Sequence, residues 1–161
     1  MIPDRLRAPA VAFVVVSLAV MAFAADGPPT PGPKDRCATC GMFVAQHPAW
    51  VASVVYADGS HRFFDGPKDL FTYRLQHPTS IDGEVAIWVT DYYTTRPLPA
   101  RDAVYVLGSD VLGPMGAELV PLASTELAES FRGDHGGDPP LAFDDIDADV
   151  VKRLDGAAGA R

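Results

Sequence analysis

The chain has 161 residues, 48% of them apolar, and a formal net charge of −8. That length carries one domain, or two very small ones, with enough material for a buried core, and the apolar fraction is too high for a disordered chain. The acidic balance argues against a nucleic-acid partner, because phosphate backbones select basic surfaces; it serves plain solubility and would also suit a metal cation or a basic protein patch.

Residues 1–24 read as an export signal that is cleaved to leave a mature chain starting near Ala25. Arg5 and Arg7 precede an apolar run from Ala8 to Phe23, and Ala22-Phe23-Ala24 has the small-residue pattern of a cleavage site. The run is shorter than the about 20 residues of a spanning helix, so an uncleaved anchor is the second reading. No Cys ends it, so it offers no lipid attachment point. The expected location is periplasmic or otherwise extracytoplasmic. Residues 25–36 follow as a Pro/Gly-rich linker, with four prolines and two glycines in Gly27 to Lys34, expected to act as a flexible tether.

The fold is expected over residues 37–154. It opens on Cys37-Ala38-Thr39-Cys40-Gly41-Met42, which puts three sulfur atoms within six residues. Trp50 to Tyr56 and His61 to Phe64 are rich in β-branched and aromatic residues and flank the turn Ala57-Asp58-Gly59-Ser60, so they read as a hairpin. Asp65 is the candidate cap of a helix with Pro67 in its first turn, apolar Leu70, Phe71, Tyr73 and Leu75 at helical spacing, and His77-Pro78 as its stop. Val85 to Tyr92 is the next strand. The second half repeats the order. Ala103 to Gly108 is a strand, Ser109 to Gly116 a loop and Glu118 to Leu122 a short strand. Ser124 caps a helix over Thr125 to Arg132, and a glycine-rich stop around His135 follows. Leu141 to Phe143 is a brief strand, and Ala148 to Leu154 a short terminal helix. Residues 155–161 read as a frayed tail. The pattern is β-β-α-β twice, about 37–92 and 101–147. Each unit is too small for a good core of its own, so the two should pack together in an α+β fold.

The chemistry-bearing residues are soft. Thiolate and thioether donors from Cys37, Cys40 and Met42 suit Cu(I) far better than Mg²⁺ or Ca²⁺, and Gly41 leaves the backbone free to turn the sulfurs toward one point. Met115, in Gly113-Pro114-Met115-Gly116, is poorly placed for core packing and is a further candidate donor. His135, flanked by Gly136 and Gly137, is the candidate accessory ligand, and His61 comes after it. Three other readings of the C-x-x-C stand beside this one. A thiol–disulfide oxidoreductase would use Cys37 and Cys40 but needs a lowered thiol pKa. Structural zinc usually takes four Cys or His ligands. A plain disulfide would close only a tiny loop. Asp65, Asp69 and Asp91 are expected to serve in capping or at the solvent surface. Hydrolase signatures and phosphate loops are absent, and neither an enzyme activity nor a small-molecule substrate is expected.

The segments CATCGMFVAQHP, FFDGPKDLFTY and VTDYYTTRPLPARDAVYVLGSDVLGPMG, with HGG after them, resemble the NosL family of accessory proteins for nitrous oxide reductase. The resemblance covers roughly Cys37 to Asp145. It implies a fold of two ββαβ units similar to an organomercurial-lyase domain, and an exported Cu(I) carrier that hands copper to nitrous oxide reductase or to its membrane-bound assembly complex. It also implies that Cys40 and Met42 stand at the family's Cys-Gly-Met signature, Met115 at the Met of its later glycine-rich loop, and His135 at a residue near the later helix end. Two departures stand out: many members carry a lipid-bearing Cys at the cleavage point, and many have only the equivalent of Cys40. The added Cys37 makes a second thiolate or a reversible disulfide available.

Overall fold

The structure, a computed structural model, describes residues 27–158; the export signal read over residues 1–24 lies outside them. The first unit is a hairpin, β1 (Ala52–Tyr56) and β2 (His61–Phe64), then helix α1 (Pro67–Gln76), strand β3 (Glu84–Thr90) and the short β4 (Pro97–Pro99). The second is β5 (Val104–Val106), a small hairpin of β6 (Leu112–Gly113) and β7 (Gly116–Ala117), then β8 (Val120–Leu122), α2 (Thr125–His135), β9 (Leu141–Ala142) and α3 (Ala148–Ala158). The sheets are antiparallel, in the orders β2-β1-β3-β4 and β8-β5-β9. In each unit the first strand is central, its hairpin partner lies on one side, and the strand after the helix lies on the other. The architecture is α+β, with the ββαβ order occurring twice.

The hairpin register explains which side chains meet the core. Ala52 pairs with Phe64 and Val54 with Ile87, and these apolar residues point to the same face of the sheet. Ser53 pairs with Phe63 and with Trp88 on the opposite face. α1 buries Leu70, Phe71 and Tyr73 in a core that also takes in Val54, Val89, Tyr105, Leu119, Phe143 and Leu154, so both units share it. Phe71 is the joint, its ring 5.4 Å from that of Tyr105 and 5.0 Å from that of Phe143. A second cluster, Val106, Val120, Leu122, Ala128 and Phe131, packs α2 onto the other face of the second sheet. The three-residue strand β5 is thus covered on both sides, which is why it is apolar throughout.

Several local expectations are corrected. Gly66, not Asp65, is the N-cap of α1, and no side chain of the cap residue bonds into the helix. Asp65, Asp69 and Asp91 are buried rather than at the solvent surface, and Asp91 closes a turn by accepting from the Thr94 amide and hydroxyl at 2.9 and 2.7 Å. The stretch Ser109 to Gly116 is not all loop, since β6 and β7 pair across Pro114 and Met115. α2 runs through Gly133 to His135, so His135 belongs to its last turn and Gly136, at φ 70°, ends it. α3 continues to Ala158, four residues past its expected end at Leu154. Ser124 does cap α2, accepting from the Leu127 amide at 3.3 Å. Pro28, Pro29 and Pro31 are half-buried and share a pocket with Val51, Trp88 and Pro97, so the proline-rich stretch is seated beside the first sheet.

Candidate metal centre

The Cys37–Met42 segment is a tight loop held at its base by an isolated antiparallel bridge between Arg36 and Phe43. The Cys37 amide donates to the Met42 carbonyl at 2.8 Å, and the Gly41 amide donates to the Cys37 carbonyl at 3.0 Å. Gly41 has φ 79°, which a side chain rarely tolerates, so glycine is required for the turn that brings the two cysteines round. Two further bonds dock the loop on the first unit: the Ala38 amide donates to the Phe63 carbonyl at 2.9 Å, and the Thr39 hydroxyl donates to the Asp69 carbonyl at 2.7 Å. The end of β2 and the first turn of α1 are therefore the floor of the loop.

That floor carries two carboxylates. The Cys37 thiol lies 3.1 Å from Asp69 Oδ2, and the Cys40 thiol 3.4 Å from both oxygens of Asp65. One potential ligand atom from each of Cys37, Cys40, Asp65 and Asp69 falls within 4.8 Å of the others. Cys37, Asp65 and Asp69 are buried and Cys40 is half-buried, so the cluster opens to the surface on the Cys40 side. Both cysteines are free thiols. Burial, reinforced by the neighbouring Asp69, pushes the Cys40 thiol up to about 11, and burial with hydrogen bonds to Asp65 and Asp69 pushes Cys37 well above the ordinary thiol range. Burial also raises Asp69, against the pull of the neighbouring thiols, of which Cys37 donates to it. At neutral pH the thiols therefore hold their protons and donate them to the carboxylates. Two acceptors and two soft donors gathered in a partly dry site form a natural receptacle for a cation.

The other predicted donors are placed differently. Met42 is half-buried at the end of the same loop. Met115 is 44% exposed at the turn of the β6–β7 hairpin, and its carbonyl accepts from Lys68 Nζ at 3.2 Å. Lys68 immediately precedes Asp69, so the second-unit hairpin meets the helical turn that faces Cys37. His135 lies elsewhere. Its Nδ1 is 2.9 Å from Asp110 Oδ1 and its Nε2 is 3.4 Å from the Tyr92 hydroxyl, beside the rings of Phe131 and Tyr92. Among the described residues, the metal-capable cluster includes Cys37 and Cys40 but not His135.

Sequence reasoning gave Asp65 and Asp69 only capping or surface roles. The two acids bracket the start of α1, Asp65 just before the cap Gly66 and Asp69 in the first turn, and that pairing was a usable signal. Nothing in the sequence says that the sulfur loop folds back over this helix start. Sequence reasoning passed over Glu118. This buried carboxylate accepts from the Lys68 amide at 2.6 Å and the Leu119 amide at 2.9 Å, and so caps α1 from the other unit. Burial lifts Glu118 to about 8.

The family model NosL matches residues 28–151. The chain is 28% identical over 127 residues to the copper-binding lipoprotein NosL of Stutzerimonas stutzeri; the match covers 74% of this chain and spans only 65% of that relative's length. Its fold is similar to the crystal structure of the copper chaperone NosL from Shewanella denitrificans, with a TM-score of 0.67, 24% identity, and coverage of 76% of this chain and 96% of that one. With the family model covering the loop, both sheets and α2, the chain belongs to the NosL family.

Proposed function

We propose that this protein is an exported, non-enzymatic Cu(I) carrier that takes one ion on the sulfur atoms of Cys37 and Cys40 with Met42 and Met115, and that it delivers copper for assembly of the copper centres of nitrous oxide reductase. The observation that carries this reading is the convergence of two free thiols on one partly open cluster, on a loop whose Gly41 turn brings them round. Cu(I) prefers such soft donors, and a mixture of thiolate and thioether holds the ion yet releases it by ligand exchange. The half-exposed Cys40 gives a recipient access to the ion, while the buried Cys37 anchors it. The relatives' descriptions as copper-binding and as a copper chaperone support the same metal. The relative's description as a lipoprotein supports an exported protein. The recipient is nitrous oxide reductase or its membrane-bound assembly complex, as the family resemblance implies, and His135 with its Asp110 partner is an exchange ligand for that step.

The buried carboxylates favour one competing reading, a divalent ion such as Zn²⁺ held by two sulfurs and two oxygens. The thiol–disulfide oxidoreductase reading loses support, since catalytic thiols are activated by lowered pKa values and both of these are raised. Anaerobic titration of the reduced chain with Cu(I), against a competing chelator, tests the proposal. One ion per chain is expected, with tight binding lost in Cys40→Ser and weakened in Met42→Leu. Binding that survives Cys40→Ser intact, or a chain that takes Zn²⁺ and ignores Cu(I), contradicts it.

A further inference from the structure

The β6–β7 hairpin cannot fix the position of Met115 by itself. It consists of two strands of two residues each, and isolated hairpins far longer than this are marginal in water. The Met115 side chain has three rotatable bonds and is 44% exposed, so packing does not hold it either. An external anchor is needed, and the contacts of Lys68 supply one.

We propose that Lys68 is a positioning residue for copper binding, registering the Met115 hairpin of the second unit against the thiol pair of the first. This rests on the proposed role of Met115 as a copper ligand. Lys68 is tied at both ends. Its amide donates to Glu118 Oε1 at 2.6 Å, just past the hairpin, and its ammonium donates to the Met115 carbonyl at the hairpin tip at 3.2 Å. The next residue, Asp69, accepts from the Cys37 thiol. One dipeptide of α1 therefore touches both the loop with the thiols and the loop with the distant thioether. The ammonium is almost wholly buried and also lies 3.9 Å from Asp155 of α3, so it is not a wandering surface cation. Glycines on both sides make the approach close. A Cβ at Gly66 would collide with the Glu118 carboxylate, and one at Gly113 would stand 2.9 Å from it. Helix α1, Glu118 and the hairpin are thereby packed backbone to carboxylate to backbone, which leaves the hairpin tip little freedom other than that allowed by the Lys68 contact.

The test uses the full reduced chain, carrying ¹³C-methyl methionine, with Cu(I) added under anaerobic conditions. In the unaltered chain the Met115 methyl resonance moves on addition of one equivalent, alongside a thiolate-to-copper absorption band. In Lys68→Leu the band persists, the Met115 resonance no longer moves, and affinity falls about tenfold or more, as when a group that orients a ligand is removed. Adding Met115→Leu to Lys68→Leu then costs nothing further, because the thioether is already out of register. Lys68→Gln gives the same comparison should the Leu variant fail to fold. An unchanged Met115 shift in the folded Lys68 variant, or a full additional loss from Met115→Leu in that background, overturns the inference. Absence of both band and shift in the unaltered chain instead overturns the copper reading on which it rests.

Discussion

Burial first, and the carboxylates beside them second, decide how the chemistry of Cys37 and Cys40 depends on pH. A buried thiol beside an anion gives up its proton reluctantly. The pH profile of alkylation by iodoacetamide should place thiolate formation at Cys40 near 11. Asp69→Asn should shift that profile to lower pH, because it replaces an anion with a neutral amide. A midpoint near 7 would contradict the burial of the Cys40 thiol, and a profile unmoved by Asp69→Asn would contradict the part given to the carboxylate. The same protons must leave when sulfur binds a metal, so the apparent Cu(I) affinity should rise with pH across the neutral range, by about tenfold per unit for each thiol proton displaced. Competition titrations at several pH values check this. The cysteine half of the cluster was legible in the closeness of Cys37 and Cys40 and in Gly41, whose positive φ of 79° uses the backbone freedom expected of it. The carboxylate half was hidden because a helix-start aspartate looks the same whether it caps its own helix or faces a loop about 25 residues upstream in the chain.

The first turn of α1 is where the elements meet. A helix start offers unpaired amides, and here an acid from the other unit, Glu118, takes the one at Lys68. Substituting Gly66 tests that contact. Its φ of −169° is ordinary extended backbone, so strain in Gly66→Ala would come entirely from the collision with Glu118, at a cost of about 1–3 kcal/mol in denaturant melts. Ser124→Ala, which removes the cap of α2, should cost about 1 kcal/mol. Glu118 also gives stability a sign with pH. The folded chain keeps its carboxyl protonated up to about 8, whereas the unfolded group releases its proton near 4.5. Unfolding therefore releases a proton in this window, and the group's contribution to stability falls as pH rises from 4.5 to about 8. Glu118→Gln should flatten this slope in melts at pH 5, 7 and 9. Periodicity and turn chemistry located the β1–β2 hairpin, α1 and α2 well, since Ser124, Pro67 and the Asp58-Gly59 turn act locally. They failed at Gly66 and in the β6–β7 hairpin, where a residue 50 positions away supplies the cap and two-residue strands leave no pattern to read.

At the scale of the molecule, the repeated ββαβ order becomes one body because α1 lies in a core common to both units. Phe71→Ala should therefore cost about 3–5 kcal/mol and lower the whole transition. Fluorescence from Trp50 and Trp88 and far-ultraviolet dichroism should give one coincident melt; separate transitions would mean that the units stand alone. The repeat was readable in the sequence because each helix follows a hairpin and precedes a strand. The shared core was not, since the meeting of Phe71 with Tyr105 and Phe143 depends on how the sheets face each other. The joined arrangement brings the Met115 hairpin to the helix turn that faces the thiols, and copper binding by sulfur from both units is the central claim. X-ray absorption at the copper edge of the Cu(I)-loaded chain tests it most directly. The account predicts a monovalent edge and a first shell of sulfur alone, reduced in sulfur number by Met115→Leu. A first shell dominated by oxygen from Asp65 and Asp69, or one indifferent to residue 115, would contradict it.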